Sequence, residues 1–159
     1  MSALEQVLKG YGCFKEGDIE GLAALCHEDM VFRINGTHSL SGEYHGFSSW
    51  LNDFLAKIPT VIPGFHLEME HCFESGNDVF CHLRATGEGL DGYFGHYFVV
   101  EDGKIRTFYA FDDSQQWPTR SASTLIRLRG RSSRSRSSVF WRSACRVTDR
   151  LSRLGLLSD

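Results

Sequence analysis

The 159-residue sequence lacks the features that mark several large protein classes. No apolar run approaches the roughly 18 residues that a membrane-spanning helix needs, and no charged-then-apolar leader opens the chain. With 42% apolar residues, the chain is too hydrophobic for a disordered protein. These absences predict a folded cytoplasmic protein with no part in a membrane.

The cysteines are scattered and show no recognisable spacing. The five cysteines are odd in number and lack the CxxC pattern of zinc and redox sites. We therefore expect free, mostly buried thiols in a reducing compartment. A phosphate-binding glycine loop, a Gly-x-Ser-x-Gly elbow and the HxH or HExxH metal patterns are also missing. These absences predict no metal site and no cofactor.

Charge is divided unevenly along the chain. Residues 1–117 carry 18 acidic and 7 basic residues, a net charge of −11. Residues 118–159 carry 10 arginines, no lysine and 2 aspartates, a net charge of +8. Such asymmetry predicts a boundary near Pro118, with one domain over residues 1–117 and an Arg/Ser-rich tail over residues 118–159.

The tail has three interpretations. Its Arg-Ser run over residues 129–138 is of low complexity and could bind RNA phosphates, although no nucleic-acid module precedes it. The all-arginine composition also fits appended coding sequence with a nucleotide bias. Residues 139–157 could instead form an amphipathic helix that docks on the acidic domain over residues 1–117, which we call the body. We favour a partly ordered tail without a nucleic-acid function.

Within the body, the pattern changes from helical to strand-like. Apolar residues at helical spacing predict a first helix ending at Gly17, and Asp18 caps a short second helix. A strand over residues 30–34 and a third helix over about residues 47–57 follow. Period-two alternation then predicts three or four strands, over residues 66–73, 79–86, 93–101 and 104–111.

The turn Asp102-Gly103 predicts a two-residue type I′ hairpin, and this turn sets a register. If Glu101 pairs with Lys104, His96 faces Tyr109 across the hairpin. The interior face would then hold His96, Phe98, Val100, Ile105, Thr107, Tyr109 and Phe111. The outer face would hold Tyr97, Val99, Arg106, Phe108, Ala110 and Asp112. Because the outer set is quite apolar, it predicts a homodimer surface.

This element order predicts an α+β fold in which about three N-terminal helices pack on a strongly curved mixed or antiparallel sheet, a cone-shaped barrel that encloses a pocket. Over residues 3–117 the chain resembles the nuclear-transport-factor-2-like superfamily, and within it the SnoaL-like polyketide cyclases and the ketosteroid isomerases. The residues that carry the resemblance are Gly17-Asp18, Gly21-Leu22, residues 28–32, and residues 98–105 with the strand up to Asp112.

The resemblance can be followed residue by residue. The general base of a ketosteroid isomerase would fall at Ile34, its oxyanion-binding tyrosine at Gly10 beside Tyr11, and its protonated aspartate near His96. Two of these three roles are unfilled, so isomerase chemistry of that type is not expected. SnoaL-like cyclases use acid–base residues on the late strands, which implies His96 as the matching residue.

Four residues, His96, Tyr109, Tyr11 and Asp112, form the candidate catalytic set, and three of them also have a structural interpretation. His96 could act as a neutral general base oriented by Tyr109, or it could be a core histidine satisfied by that phenol. Tyr11 could point its hydroxyl into the pocket or be a core aromatic residue. Asp112 could be an acid or base at the pocket rim, or a solvated strand end.

Aromatic and apolar residues on the predicted inner surfaces would bind a substrate. They are Phe32, Ile34, Trp50, Phe54, Phe98, Thr107 and Phe111. His38 and His45 lie in the loop before the third helix, where a lid is conceivable and a surface loop is favoured.

Two functions remain open. The first is a SnoaL-like isomerase, cyclase, dehydratase or hydrolase that acts by general acid–base catalysis on a small hydrophobic molecule. The second is a binding or dimerisation module of the same fold without turnover. A mostly apolar pocket with no second titratable group beside His96 would favour the binding module, whereas a bell-shaped pH–rate profile altered by His96→Gln would favour the enzyme.

Overall fold

The computed structural model describes residues 1–117, which form the predicted helices and strands and, in addition, a short fourth helix and a short strand before the third helix. The helices are α1 (Ala3–Glu16), α2 (Ile19–Ala24), α3 (Gly46–Asp53) and α4 (Ile58–Val61), with a 3₁₀ turn (Leu55–Lys57) between the last two. The strands are β1 (Cys26–Ile34), β2 (Gly42–His45), β3 (His66–Ser75), β4 (Asp78–Gly87), β5 (Leu90–Glu101) and β6 (Lys104–Phe111). The interpretations of the tail lie outside the described residues.

The corner between α1 and α2 forms as its turn chemistry predicts. Gly17 ends α1 in the left-handed conformation, with φ of 70°, which a residue without a Cβ adopts most readily. The Asp18 side chain then accepts a hydrogen bond from the Gly21 N–H at 2.9 Å and caps α2. At the other end of α1, Ser2 and Glu5 form a capping box. The corner folds α2 back beside α1, so that both helices face the sheet.

Six strands make one mixed sheet in the order β2-β1-β6-β5-β4-β3. β1 and β6 run parallel, and every other neighbouring pair runs antiparallel. The sheet is curved and not closed, and the helices pack against its concave face. This confirms the predicted α+β cone. No helix within residues 1–117 has the length and apolar character needed to traverse a bilayer.

The closing hairpin begins in the predicted register. Asp102 and Gly103 both have positive φ, at 50° and 71°, as a type I′ turn requires. Glu101 pairs with Lys104, and Val100 pairs with Ile105. The turn chemistry was therefore sufficient to predict the first two pairs of the hairpin.

Beyond these pairs the predicted register is wrong by one residue. Val99 pairs with Thr107, which leaves Arg106 as an extra residue in β6, a β-bulge. His96 consequently faces Ala110 instead of Tyr109. Because alternate residues of a strand point to opposite faces, this single insertion reverses the faces of all the later β6 residues.

Three predicted site residues therefore lie on the outer face. Thr107, Tyr109 and Phe111 are directed away from the concave side, and Phe111 is 44% exposed. Tyr109 stacks on Phe111 there, with 4.6 Å between the ring centroids. Phe108 and Ala110, predicted for the outside, are buried instead. The expected contact between His96 and Tyr109 does not form.

The cysteines are only partly as expected. Cys13 and Cys26 are buried free thiols. Cys72 and Cys81, however, lie directly opposite each other on β3 and β4, with 4.2 Å between their Cα atoms, and form a disulfide. This pair contradicts the expectation of free thiols throughout, because cross-strand neighbours come close enough to bond whatever their spacing in sequence. Cys145 lies outside the described residues.

The disulfide predicts a simple chemical result. Trypsin releases residues 58–84 as one peptide that contains both Cys72 and Cys81. From protein unfolded without reductant, we expect this peptide to be lighter by two hydrogen atoms and to resist iodoacetamide. The peptide that carries Cys13 should be alkylated in the same digest, which controls for reagent access. Double alkylation of residues 58–84 before reduction, measured by mass spectrometry, would show that the bond does not form.

Candidate functional site

A cavity of about 90 Å³ lies between the helices and the concave face of the sheet. By the rule of roughly 15 Å³ for each water molecule, it holds several of them without any movement of the walls. Most of its lining is aromatic and aliphatic. Among the described lining residues, Asp112 is the one carboxylate, and no lysine or arginine is present. Polar chemistry in this cavity therefore rests on very few groups.

Tyr11 and His96 form the first polar pair of the cavity. α1 carries Tyr11 and β5 carries His96, and the phenol oxygen lies 2.7 Å from the imidazole Nδ1. Burial lowers the pKa of His96 to about 3, because the cationic ring would lose its hydration. The same desolvation raises the pKa of the Tyr11 phenol far above its ordinary value. Both groups are therefore neutral at physiological pH.

A neutral phenol–imidazole pair can bind an oxygen atom in either of two arrangements. If the Tyr11 hydroxyl donates to Nδ1, the Nε2 of His96 carries the hydrogen; in the reverse arrangement, the Tyr11 hydroxyl is free to donate. Each arrangement leaves one donor for a third group. Such a low imidazole pKa makes His96 a weak base, so hydrogen bonding suits it better than the predicted proton abstraction.

Asp112 and His38 form the second polar pair. Asp112 follows β6 directly, and its side chain is fully buried. Its Oδ2 accepts a hydrogen bond from the Nε2 of His38 at 3.0 Å. The Nδ1 of His38 in turn accepts from the Leu40 N–H at 3.2 Å, which requires the hydrogen of a neutral ring to be on Nε2. The imidazole is thus held in one tautomer that donates to the carboxylate.

The second oxygen of Asp112 has no hydrogen-bond partner within the described residues, although it is buried. Leaving such an atom unpaired costs about 1–3 kcal/mol. Since Asp112 lines the cavity, the unpaired oxygen marks a place where a ligand or a water molecule would bind. The alternative interpretation of Asp112 as a solvated strand end is therefore wrong.

His38 is the polar residue that the sequence interpretation misplaced. The sequence predicts a surface loop or a lid for His38, but its side chain is buried, with only 2% of the residue exposed. Its ring stacks on Trp117 with 4.2 Å between centroids. The loop that carries it is closed by a hydrogen bond from the Ser41 hydroxyl to the Asn35 carbonyl at 2.8 Å. A loop has no periodicity from which this burial could have been predicted.

The remaining predicted site residues divide into two groups. Those that line the cavity, as expected, are Tyr11, His96, Asp112, Phe32, Trp50, Phe54 and Phe98. Phe32 and Trp50 form a stacked wall with 4.2 Å between ring centroids. Ile34 is buried but lies outside the lining, while Thr107, Tyr109 and Phe111 are on the other face of the sheet. The bulge brings in Phe108 and Ala110 in their place.

Comparison with known protein families decides the classification. The sequence profile of the SnoaL-like domain matches residues 7–108, well over half of the chain. The chain belongs to the SnoaL-like domain family. A search among curated proteins finds no match.

Several solved structures are similar in fold to this SnoaL-like domain. An NTF2-like protein from Burkholderia thailandensis E264 is 16% identical, with a TM-score of 0.68 over 73% of this chain and 94% of that one. TerC, co-crystallised with polyporic acid, is 28% identical, with a TM-score of 0.62 over 71% of this chain and 92% of that one. An NTF2-like protein of unknown function from Burkholderia pseudomallei K96243 is 25% identical, with a TM-score of 0.63 over 80% and 98%.

The pKa of His96 predicts a pH dependence of stability. An unfolded chain protonates this ring near its ordinary pKa of 6.5, whereas the folded SnoaL-like domain resists protonation down to about 3. The unfolded state therefore binds more protons between these values, and the free energy of unfolding falls as the pH is lowered through this window. The contribution approaches about 1.4 kcal/mol per pH unit.

Urea titrations at several pH values would measure this dependence. We expect His96→Gln to flatten the fall in unfolding free energy between about pH 6 and pH 4.5. His45→Gln, which alters a side chain that is 71% exposed, should keep the wild-type slope. Equal slopes for His96→Gln and the wild type would mean that His96 is protonated as readily in the folded chain as in the unfolded one.

Proposed function

We propose that the chain is a SnoaL-like enzyme that transfers a proton on a small hydrophobic substrate, in an isomerase, cyclase, dehydratase or hydrolase reaction. The observation that carries the proposal is the unpaired Oδ1 of Asp112 in the same apolar cavity as the neutral Tyr11–His96 pair. A cavity with no second titratable group besides His96 would favour simple binding. Asp112 is such a second group.

The two pairs have complementary roles in such a reaction. Asp112 would accept a proton from the substrate through Oδ1 and return it later. Tyr11 and His96 would donate a hydrogen bond to the substrate oxygen on which negative charge develops. The low dielectric of the apolar walls strengthens both interactions.

The pairing of β5 with β6 sets the distance between His96 and Asp112. His96 pairs with Ala110 across β5 and β6, and Asp112 is two residues beyond Ala110. Two residues of extended chain span about 7 Å. A carbonyl compound whose acidic α-C–H lies next to its carbonyl oxygen would reach both groups.

His38 is a positioning residue in this scheme. It contacts the carboxylate through Nε2 but is absent from the cavity lining. Its fixed tautomer holds Oδ2, while the Asp112 N–H donates to the Asn35 side chain at 3.0 Å. These contacts orient Oδ1 before the substrate arrives, which reduces the reorganisation that the reaction requires.

Binding without turnover is the second candidate. The weak basicity of His96 and the apolar lining favour it, and the relative TerC was crystallised with polyporic acid. In that case Asp112 and the Tyr11–His96 pair would recognise a ligand and nothing more. The two candidates differ in whether bound molecules exchange protons.

Proton exchange on a simple ketone separates these candidates. 2-Tetralone is an uncharged aromatic ketone with acidic α-protons, and its deuteration in D₂O can be followed by proton NMR. We expect the wild-type chain to accelerate exchange over buffer. General-base catalysis typically contributes about 10²–10⁴-fold, so Asp112→Asn should lose at least a hundredfold, and Tyr11→Phe a smaller factor.

Asp91→Asn is the matched control, since Asp91 is an exposed carboxylate paired with Arg84. It should exchange 2-tetralone at the wild-type rate. A folded Asp112→Asn variant, checked by near-UV circular dichroism, that exchanges as fast as the wild type would refute the catalytic role. A wild-type chain that binds 2-tetralone without accelerating exchange would favour the binding module.

We also propose that the outer sheet face joins two copies of the chain. Phe73, Phe80, Tyr97 and Tyr109 form one cross-strand row over β3 to β6, and Phe73 is 61% exposed. Arginines of the sheet are paired with carboxylates, as Arg33–Glu43, Arg84–Asp91 and Arg106–Glu101. An aromatic centre with a neutralised polar rim suits a second copy of an otherwise acidic body.

Light scattering after gel filtration would test this interface. We expect a dimer for the wild type and a monomer for Phe73→Glu, because the new charge would be buried without a partner. Leu8→Glu alters an exposed apolar residue on α1 and should leave the dimer intact. A dimer that persists in Phe73→Glu would place the interface elsewhere.

A further inference from the structure

We infer that the cavity selects an uncharged aromatic molecule with a hydroxyl group, which binds between Asp112 and Trp117, and that it rejects anions. This inference names the ligand class of the cavity and rests on the proposed function only in assuming that the same cavity is the binding site. The charges of the lining, two unpaired polar atoms and the shape of the walls support it independently.

The charge of the lining excludes anionic ligands. Asp112 is the one carboxylate among the described lining residues, and none of them is lysine or arginine. His38, which contacts Asp112 through Nε2 and accepts from the Leu40 N–H through Nδ1, is not part of the lining. A bound carboxylate or phosphate would lose its hydration and meet a like charge without compensation.

Unpaired polar atoms on residues of the cavity lining, which include the indole Nε1 of Trp50, call for a hydroxyl group. Oδ1 of Asp112 lacks a donor, and the indole Nε1 of Trp117 lacks an acceptor. His38 brings the two residues together, since it donates to Asp112 at 3.0 Å and stacks on Trp117 at 4.2 Å. A hydroxyl can donate to the carboxylate and accept from the indole, whereas an ammonium group only donates and a carbonyl only accepts.

The walls beside these atoms favour a flat ring. Phe65 and Phe94 approach Trp117 with ring centroids 6.3 Å and 6.2 Å away, and all three line the cavity. The three rings pack on one another, and because all of them line the cavity, a ligand ring could stack on them or meet their edges. The ligand class is therefore a phenol or another neutral hydroxylated aromatic.

A matched series on one ring system tests the selection. We would titrate the full chain by calorimetry at pH 7 with 2-naphthol, 2-naphthoate, 2-methylnaphthalene and 2-naphthylmethylammonium. We expect 2-naphthol to bind at least tenfold more tightly than each of the other three. Equal or tighter binding of 2-naphthoate would overturn the inference, as would failure of all four probes to bind.

Two conservative variants identify the atoms responsible. Trp117→Phe keeps the aromatic wall but removes the donor, so it should reduce the preference for 2-naphthol over 2-methylnaphthalene severalfold. Asp112→Asn removes the charge, so it should narrow the gap between 2-naphthol and 2-naphthoate while binding 2-methylnaphthalene as the wild type does. Unchanged preferences in both variants would refute the assignment.

The binding series and the exchange assay test different claims, so the ligand class and the enzyme can be rejected independently. The ligand series needs no turnover, so selective binding of 2-naphthol together with no acceleration of 2-tetralone exchange would support the ligand class and reject the enzyme. Accelerated exchange together with equal binding of 2-naphthol and 2-naphthoate would support the enzyme and reject the ligand class.

Discussion

One extra residue in β6 decides which side chains the cavity receives from the closing hairpin. With Arg106 bulged out, Phe108 and Ala110 point inward and Tyr109 points outward. Side chains alternate strictly along a strand, so there is no intermediate arrangement between these two. The same insertion that removes Tyr109 from His96 also brings Asp112 to the inner side, where it lines the cavity. The chemistry proposed for the chain depends on this bulge.

The two polar pairs show how an apolar cavity can keep reactive groups. The Tyr11–His96 pair is neutral, so its burial requires only that each group finds a hydrogen-bond partner. Asp112 is different, because a buried carboxylate needs donors, and the loop before β2 supplies one through His38. Oδ1 is left unpaired. An unpaired buried atom beside an otherwise satisfied network is what a binding site for a polar group would leave when empty.

Membership of the SnoaL-like family determines the fold, but the activity depends on individual residues. The position that a ketosteroid isomerase would use for its base holds Ile34, and this residue is buried outside the cavity lining. The carboxylate of this cavity comes from the end of β6 instead. A shared cone can thus receive a carboxylate from different strands, because the concave sheet directs side chains from several strands towards one space.

Much of the fold was determined by the sequence alone, because its signals are local. The Gly17–Asp18 corner and the Asp102-Gly103 turn each need only the conformational preferences of two neighbouring residues, and the strands follow from period-two alternation. Tyr11, His96 and Phe32 could be placed in the interior for the same reason. The Arg106 bulge, the Cys72–Cys81 disulfide and the burial of His38 were decided only by the tertiary structure. His38 and Asp112 are 74 residues apart in sequence, and their contact exists only because the folded sheet brings a strand end beneath a loop, a relation that no local preference encodes.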